Sequence, residues 1–167
     1  VSPVQFRSKT LALNVAATLA ASGLAASRLE LQITEAVLIR DDEAALDVLH
    51  QLRKVGVRVA LDDFGTGYSS LSYLQRFPFD KIKIDRCFIK DIAEPGGSAS
   101  IVQAVVNIAA ARNITTTAEG VETQQQLDAL RGFECAEMQG YLFSARLPAA
   151  DLRRLLSSDP KLIAGAA

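Results

Sequence analysis

Tryptophan is absent, histidine and methionine occur once each, and cysteine occurs twice in 167 residues. A single histidine, His50, rules out a multi-histidine metal centre. Cys87 and Cys135 stand far apart with no paired spacing, which excludes a zinc ribbon or a redox pair and fits reduced thiols in the cytoplasm. An excess of one charge is also missing. Eighteen basic and 19 acidic residues leave a net charge of −1, so the chain has no general electrostatic footprint for DNA. No apolar run approaches the roughly 18 residues of a membrane span, so membrane contact by this domain is not expected. The opening residues VSPVQFRSKT lack a signal-peptide pattern. The glycine fingerprint of dinucleotide-binding folds is absent too. The chain opens on Val1, and its one methionine is Met138, so it is expected to be a piece of a longer protein.

What remains is an ordinary globular composition, with 49% hydrophobic and 22% charged residues. That suffices for a core, and no linker divides the chain, so residues 1–167 are expected to form one domain. Residues 11–23, 41–56, 69–77, 98–113, 123–133 and 149–158 have helical patterns. Between them, residues 28–37, 57–64, 79–88, 114–122 and 136–144 read as strands, and Val1–Val4 as the possible end of a sixth. Repeated strand–helix alternation predicts an α/β fold with a parallel sheet. Pattern alone leaves both an open doubly wound sheet and a (β/α) barrel.

Ionisable and amide groups gather at the strand ends. Gln32 and Glu35 lie at the first, Asp62 and Asp63 at the second, Lys83 at the third, Glu119 and Glu122 at the fourth, and Gln139 at the fifth. Each has an ordinary structural explanation. The Asp62–Asp63 pair suits an Asx-turn, Lys83 a solvated position of an alternating strand, Glu35 a cap, and Glu119 and Gln139 turns before Gly120 and Gly140. Together they carry more. In parallel α/β folds the C-terminal strand ends share one rim, where barrel enzymes collect their chemistry. A rim of carboxylates and one lysine, without histidine or thiolate, favours hard cations such as Mg²⁺ or Mn²⁺. Two such ions bridged by a carboxylate suit phosphodiester hydrolysis.

The segments LELQITE, DDFGTGYSSLSYLQRFPFDKIKIDRCFI, TTTAEGVET and MQGYLFS, in this order, resemble the EAL domain of bacterial cyclic di-GMP phosphodiesterases. The resemblance runs from Val1 to about Leu152. It implies a TIM-like (β/α)8 barrel, here incomplete because its first strand or strands would precede Val1. It also implies Mg²⁺- or Mn²⁺-dependent hydrolysis of cyclic di-GMP to pGpG, and a modular bacterial signalling protein with GGDEF or sensor domains.

By resemblance, Asp62 bridges two metals, Asp63 binds the second, Lys83 holds the attacking water, and Glu119 serves the second metal. Glu122 and Gln139 support that shell. Glu35 braces the loop that contains Gly65, Thr66 and Gly67 and that couples a dimer interface to the site. Three departures stand out. The Glu-Ala-Leu signature is absent, since EAAL at Glu43–Leu46 lies in a helical stretch. A metal-binding asparagine would fall before Val1. Gln32 occupies the place of a metal-binding glutamate. The chain as it stands is therefore expected to lack turnover. The alternative is a degenerate domain acting as a non-catalytic cyclic di-GMP receptor or a protein-interaction module. An incomplete barrel exposes sheet edges, so a homodimer or strand-exchanged oligomer is expected.

Overall fold

The computed structural model describes residues 1–38, 42–65 and 71–158. In chain order the elements are α1 (Pro3–Phe6), α2 (Leu11–Ser22), β1 (Glu30–Thr34), α3 (Asp42–Val55), β2 (Arg58–Phe64), α4 (Leu71–Arg76), β3 (Lys81–Ile84), α5 (Arg86–Ile89), α6 (Ala99–Ala110), β4 (Thr115–Glu119), α7 (Gln124–Gly132), β5 (Glu137–Gln139) and α8 (Ala149–Ser158). Short 3₁₀ turns at Ala26–Arg28 and Glu35–Val37 flank β1.

The five strands pair in parallel, in the order β1-β2-β3-β4-β5. A doubly wound sheet reverses its strand order at a switch point. This one never reverses, so the barrel-type winding is the one present, and the sheet is not closed among the described residues. Right-handed crossovers that always step the same way place their helices on one face. The alternation within the strands agrees. Ile33, Val59, Leu61, Ile82 and Ile84 are fully or almost fully buried and join Leu49 and Leu52 of α3, Val102 of α6 and Leu130 of α7 in one core. The opposite face carries Glu30, Gln32, Arg58, Asp62, Lys81, Lys83, Thr117, Glu119, Glu137 and Gln139, as period-two alternation and the strand register require.

Several element ends differ from the sequence expectation, each for a local reason. Val1–Val4 does not end a strand. Ser2 and Gln5 form a capping box with Pro3 inside it, which starts a helical turn. The first strand stops at Thr34, where the chain enters a 3₁₀ turn. The third stops at Ile84 because the Asp85 carboxylate accepts the Cys87 N–H at 2.8 Å and turns the chain into α5. The fifth covers only Glu137–Gln139. Beyond it, the Leu142 N–H donates to the Val121 carbonyl, and a Cβ at Gly140 would run into the backbone of Val121.

Candidate metal centre

In a regular strand, adjacent side chains point to opposite faces, so Asp62 and Asp63 should separate. They do not. The β2–β3 register slips between Leu61 and Phe64, and Asp63 takes a left-handed backbone (φ 54°). Bulges of this kind re-aim side chains beside functional sites. Carboxylate oxygens of Asp62, Asp63 and Glu119 consequently lie within 4.8 Å of one another.

Lys83 sits beside this cluster. Its ammonium donates to Asp62 Oδ1 at 3.0 Å and lies 2.6 Å from Glu119 Oε1. The residue is only 6% exposed, so it is not the solvated strand lysine that its alternation also permitted. Burial pulls its amine down, but the hydrogen bonds to Glu119 and Asp62 outweigh this and leave its pKa above the ordinary lysine value. Asp63 moves the other way from most carboxylates. Burial, then the charges of Asp62 and Asp85, push its pKa up, with Lys83 only partly offsetting them. Crowded carboxylate oxygens at one rim fit a hard divalent cation, whose charge would relieve that repulsion.

Glu35 is buried, and its Oε1 accepts the Gly65 N–H at 3.0 Å, so it holds the chain where β2 leaves the sheet. Thr66 and Gly67 lie outside the described residues. Gln32 pairs with Ala60 on the face that carries Asp62, and its side chain is exposed. Gln139 pairs with Glu119, and its carbonyl accepts the Val121 N–H at 3.0 Å. Glu122 is exposed beyond the end of β4, and its N–H donates to Gln126 Oε1 at 2.8 Å.

Two features escaped the sequence reading. Gln126 is buried and completes a capping box with Thr123, a Thr-x-x-Gln signal that was open to view. Its Nε2 also donates to the Lys90 carbonyl at the end of α5. One layer below the site, the Lys81 ammonium bridges Glu137 Oε2 at 2.6 Å and Glu30 Oε2 at 3.0 Å, and Thr117 donates to Glu137 at 2.7 Å. Burial depresses Lys81, but its hydrogen bonds to Glu137 and Glu30 raise it on balance. Burial raises Glu137, but the bonds from Lys81 and Thr117 bring it below the usual glutamate range.

Lys81→Met is expected to lower stability by about 2–3 kcal/mol, between the values for surface and buried pairs. The part due to Lys81 is whole below its ordinary pKa and fades as pH rises through the elevated folded value. The part due to Glu137 is whole above its ordinary pKa and fades as pH falls through the depressed folded value. Urea unfolding of both proteins from pH 4 to 10 should therefore show a difference that is flat through neutrality and shrinks in acid. A difference that grows in acid would contradict the assignment.

The sequence profile of the EAL domain matches residues 1–146. The chain is 51% identical over 164 residues to protein y4lL of Sinorhizobium fredii, covering 98% of this chain and 20% of that protein. It is 47% identical over 135 residues to the cyclic di-GMP phosphodiesterase NbdA of Pseudomonas aeruginosa, covering 81% and 17%. Among solved structures, the PaMucR phosphodiesterase in complex with c-di-GMP superposes with a TM-score of 0.85 at 41% identity, covering 91% of this chain and 62% of that one. A manganese and cyclic di-GMP complex of Klebsiella pneumoniae BlrP1 gives a TM-score of 0.79 at 36% identity, covering 84% and 36%. The chain thus spans about a fifth of the length of the curated relatives it matches.

Proposed function

The chain belongs to the EAL domain family, and on that footing we propose that it is part of a cyclic di-GMP phosphodiesterase domain, converting cyclic di-GMP to pGpG in bacterial signalling. The proposal extends to residues 1–167 as one partial EAL domain, to GGDEF or sensor domains beside it in a longer protein, to a homodimer, and to a cytoplasmic location, where the free thiols of Cys87 and Cys135 are at home. The observation that carries it is the meeting of Asp62, Asp63, Lys83 and Glu119, from three separate strands, at one rim.

Asp62, Asp63 and Glu119 would hold Mg²⁺ or Mn²⁺, with the Gln32 carbonyl oxygen as a weaker fourth donor. When bound, the ions supply charge that offsets the phosphoryl oxygens and lowers the pKa of a coordinated water. The residues do the rest. Lys83, paired with Asp62 and Glu119, offers its N–H groups as donors. Two of its three N–H bonds can serve Asp62 and Glu119, and the third can hold a water or a phosphoryl oxygen. The carboxylates of Asp62 and Glu119 are the nearby acceptors for a water proton. Glu35, by holding Gly65, fixes the chain segment that follows Asp63.

Gln32 favours a second reading, a receptor that binds cyclic di-GMP without turnover, because an amide keeps one oxygen donor but loses the charge that hard cations require. Incubation of the longer protein, carrying the complete domain, with cyclic di-GMP and Mn²⁺, followed by chromatography and calorimetry, separates the two. Formation of pGpG supports the enzyme, and binding without pGpG supports the receptor. Neither binding nor turnover removes both and leaves a protein-interaction module. Gln32→Glu is expected to tighten Mn²⁺ binding about tenfold, since carboxylate count helps set the affinity of such sites. An unchanged titration would show that position 32 is not a ligand position.

A further inference from the structure

Helix α5 is a single turn, yet it meets the chain just beyond the three strands that carry Asp62, Asp63, Lys83 and Glu119. It follows directly from β3, which carries Lys83. On one side the Phe88 ring fills the space that a Cβ at Gly65 would need, placing Cζ 2.7 Å from that position. Gly65 follows Asp63 by two residues and has φ +99°, a backbone that side chains rarely adopt. On the other side, a Cβ at Gly120 would lie 2.6 Å from Arg86 Cβ. Gly120 follows Glu119 directly and also has a left-handed backbone, φ +75°. The far end of the turn is tied down as well, since the Lys90 carbonyl accepts from buried Gln126, whose Oε1 in turn accepts the N–H groups of Glu122 and Thr123. Two glycines, one beyond each acidic strand end, thus admit one helical turn between them.

We propose that α5 is a wedge that sets the spacing of the carboxylate cluster, with Phe88 as a positioning residue acting through Gly65. The inference rests on the metal-site reading above. Without the ring, the Gly65 backbone loses its backing. The left-handed turn at Asp63, which with the β2–β3 register slip brings its carboxylate round to Asp62 and Glu119, is then free to relax toward the extended form that non-glycine residues prefer. Phe88 also packs against the edge of the core, and Ile89 beside it is fully buried, so a core truncation elsewhere serves as the control for lost packing.

Calorimetric titration of the full chain with Mn²⁺ tests the wedge. Phe88→Ala is expected to weaken binding about tenfold, the lower end of what outer-shell support contributes to metal affinity. Phe88→Leu, which keeps a branched apolar group against Gly65, should recover most of the loss. Leu49→Ala, a core truncation on α3, should lower the melting temperature without moving the affinity. Gly65→Ala alone should also weaken binding, because its methyl collides with the ring. In a Phe88→Ala background that collision is gone and only the strain of a side chain at φ +99° remains, so the second substitution should cost clearly less than it does alone. Wild-type affinity in Phe88→Ala, or strict additivity of the pair, overturns the proposal. If the unmodified chain binds no Mn²⁺, the metal reading fails by itself. Amide exchange at Gly65 then decides: faster exchange in Phe88→Ala supports the wedge, and equal protection overturns it.

Discussion

Lys83→Met is expected to remove about 3 kcal/mol of stability in EDTA, the low end for deleting one partner of a buried ion pair. Methionine fills a similar volume, so the loss is electrostatic and not a cavity effect. The ammonium contacts Asp62 and Glu119, and Asp63 brings a third carboxylate within 4.8 Å. Deleting the cation leaves those charges facing one another at a rim where Asp62 and Glu119 are each about one-fifth exposed, too little for water to screen them fully. Mn²⁺ should return part of the loss, because a ligand present at 100 times its Kd adds about 2.7 kcal/mol to the folded state. Urea unfolding with and without Mn²⁺ measures both quantities. An unchanged midpoint in EDTA would show that the carboxylates are compensated by other groups.

Asp62→Asn should have the opposite profile. Mn²⁺ affinity is expected to fall about 100-fold, at least the loss produced by removing outer-shell support, because a charged ligand itself is lost. In EDTA the variant should lose less stability than Lys83→Met. It gives up one partner of Lys83, but it also removes a charge that raises Asp63. The two titrations read together separate a metal ligand from a compensating cation. Equal Mn²⁺ affinities for Asp62→Asn and the unmodified chain would remove Asp62 from the ligand set.

The strand–helix order and the rim were legible because they depend on short-range pattern. Alternation in KIKID places Lys81 and Lys83 on one face, and apolar spacing in α3 marks a stripe of Ala45, Val48, Leu49 and Leu52, of which all but the half-buried Val48 are buried. What depends on curvature was not legible. Lys81 reaches both Glu30 on β1 and Glu137 on β5, strands two places away on either side, and no linear pattern encodes that convergence. The reach of β3 was misjudged because RCF after Asp85 has strand-like composition, whereas the Asp85 side chain captures a backbone N–H and starts a turn instead. Asp62 and Asp63 were expected together at the rim, but the backbone that unites them was hidden for a similar reason. Adjacent positions in a strand diverge by default, and the bulge that reunites them is a property of pairing with β3, not of the DDF tripeptide.

Strand alternation also insulates the two sides of this molecule from each other. Ile33 and Gln32 are neighbours in the chain, yet one is sealed among helices and the other borders the rim. A change at position 32 can therefore discard a charge while the packing of position 33 goes unaltered. In such an architecture chemistry can drift away residue by residue while the shape persists. Thermal stability is then a poor guide to whether a given copy still catalyses anything.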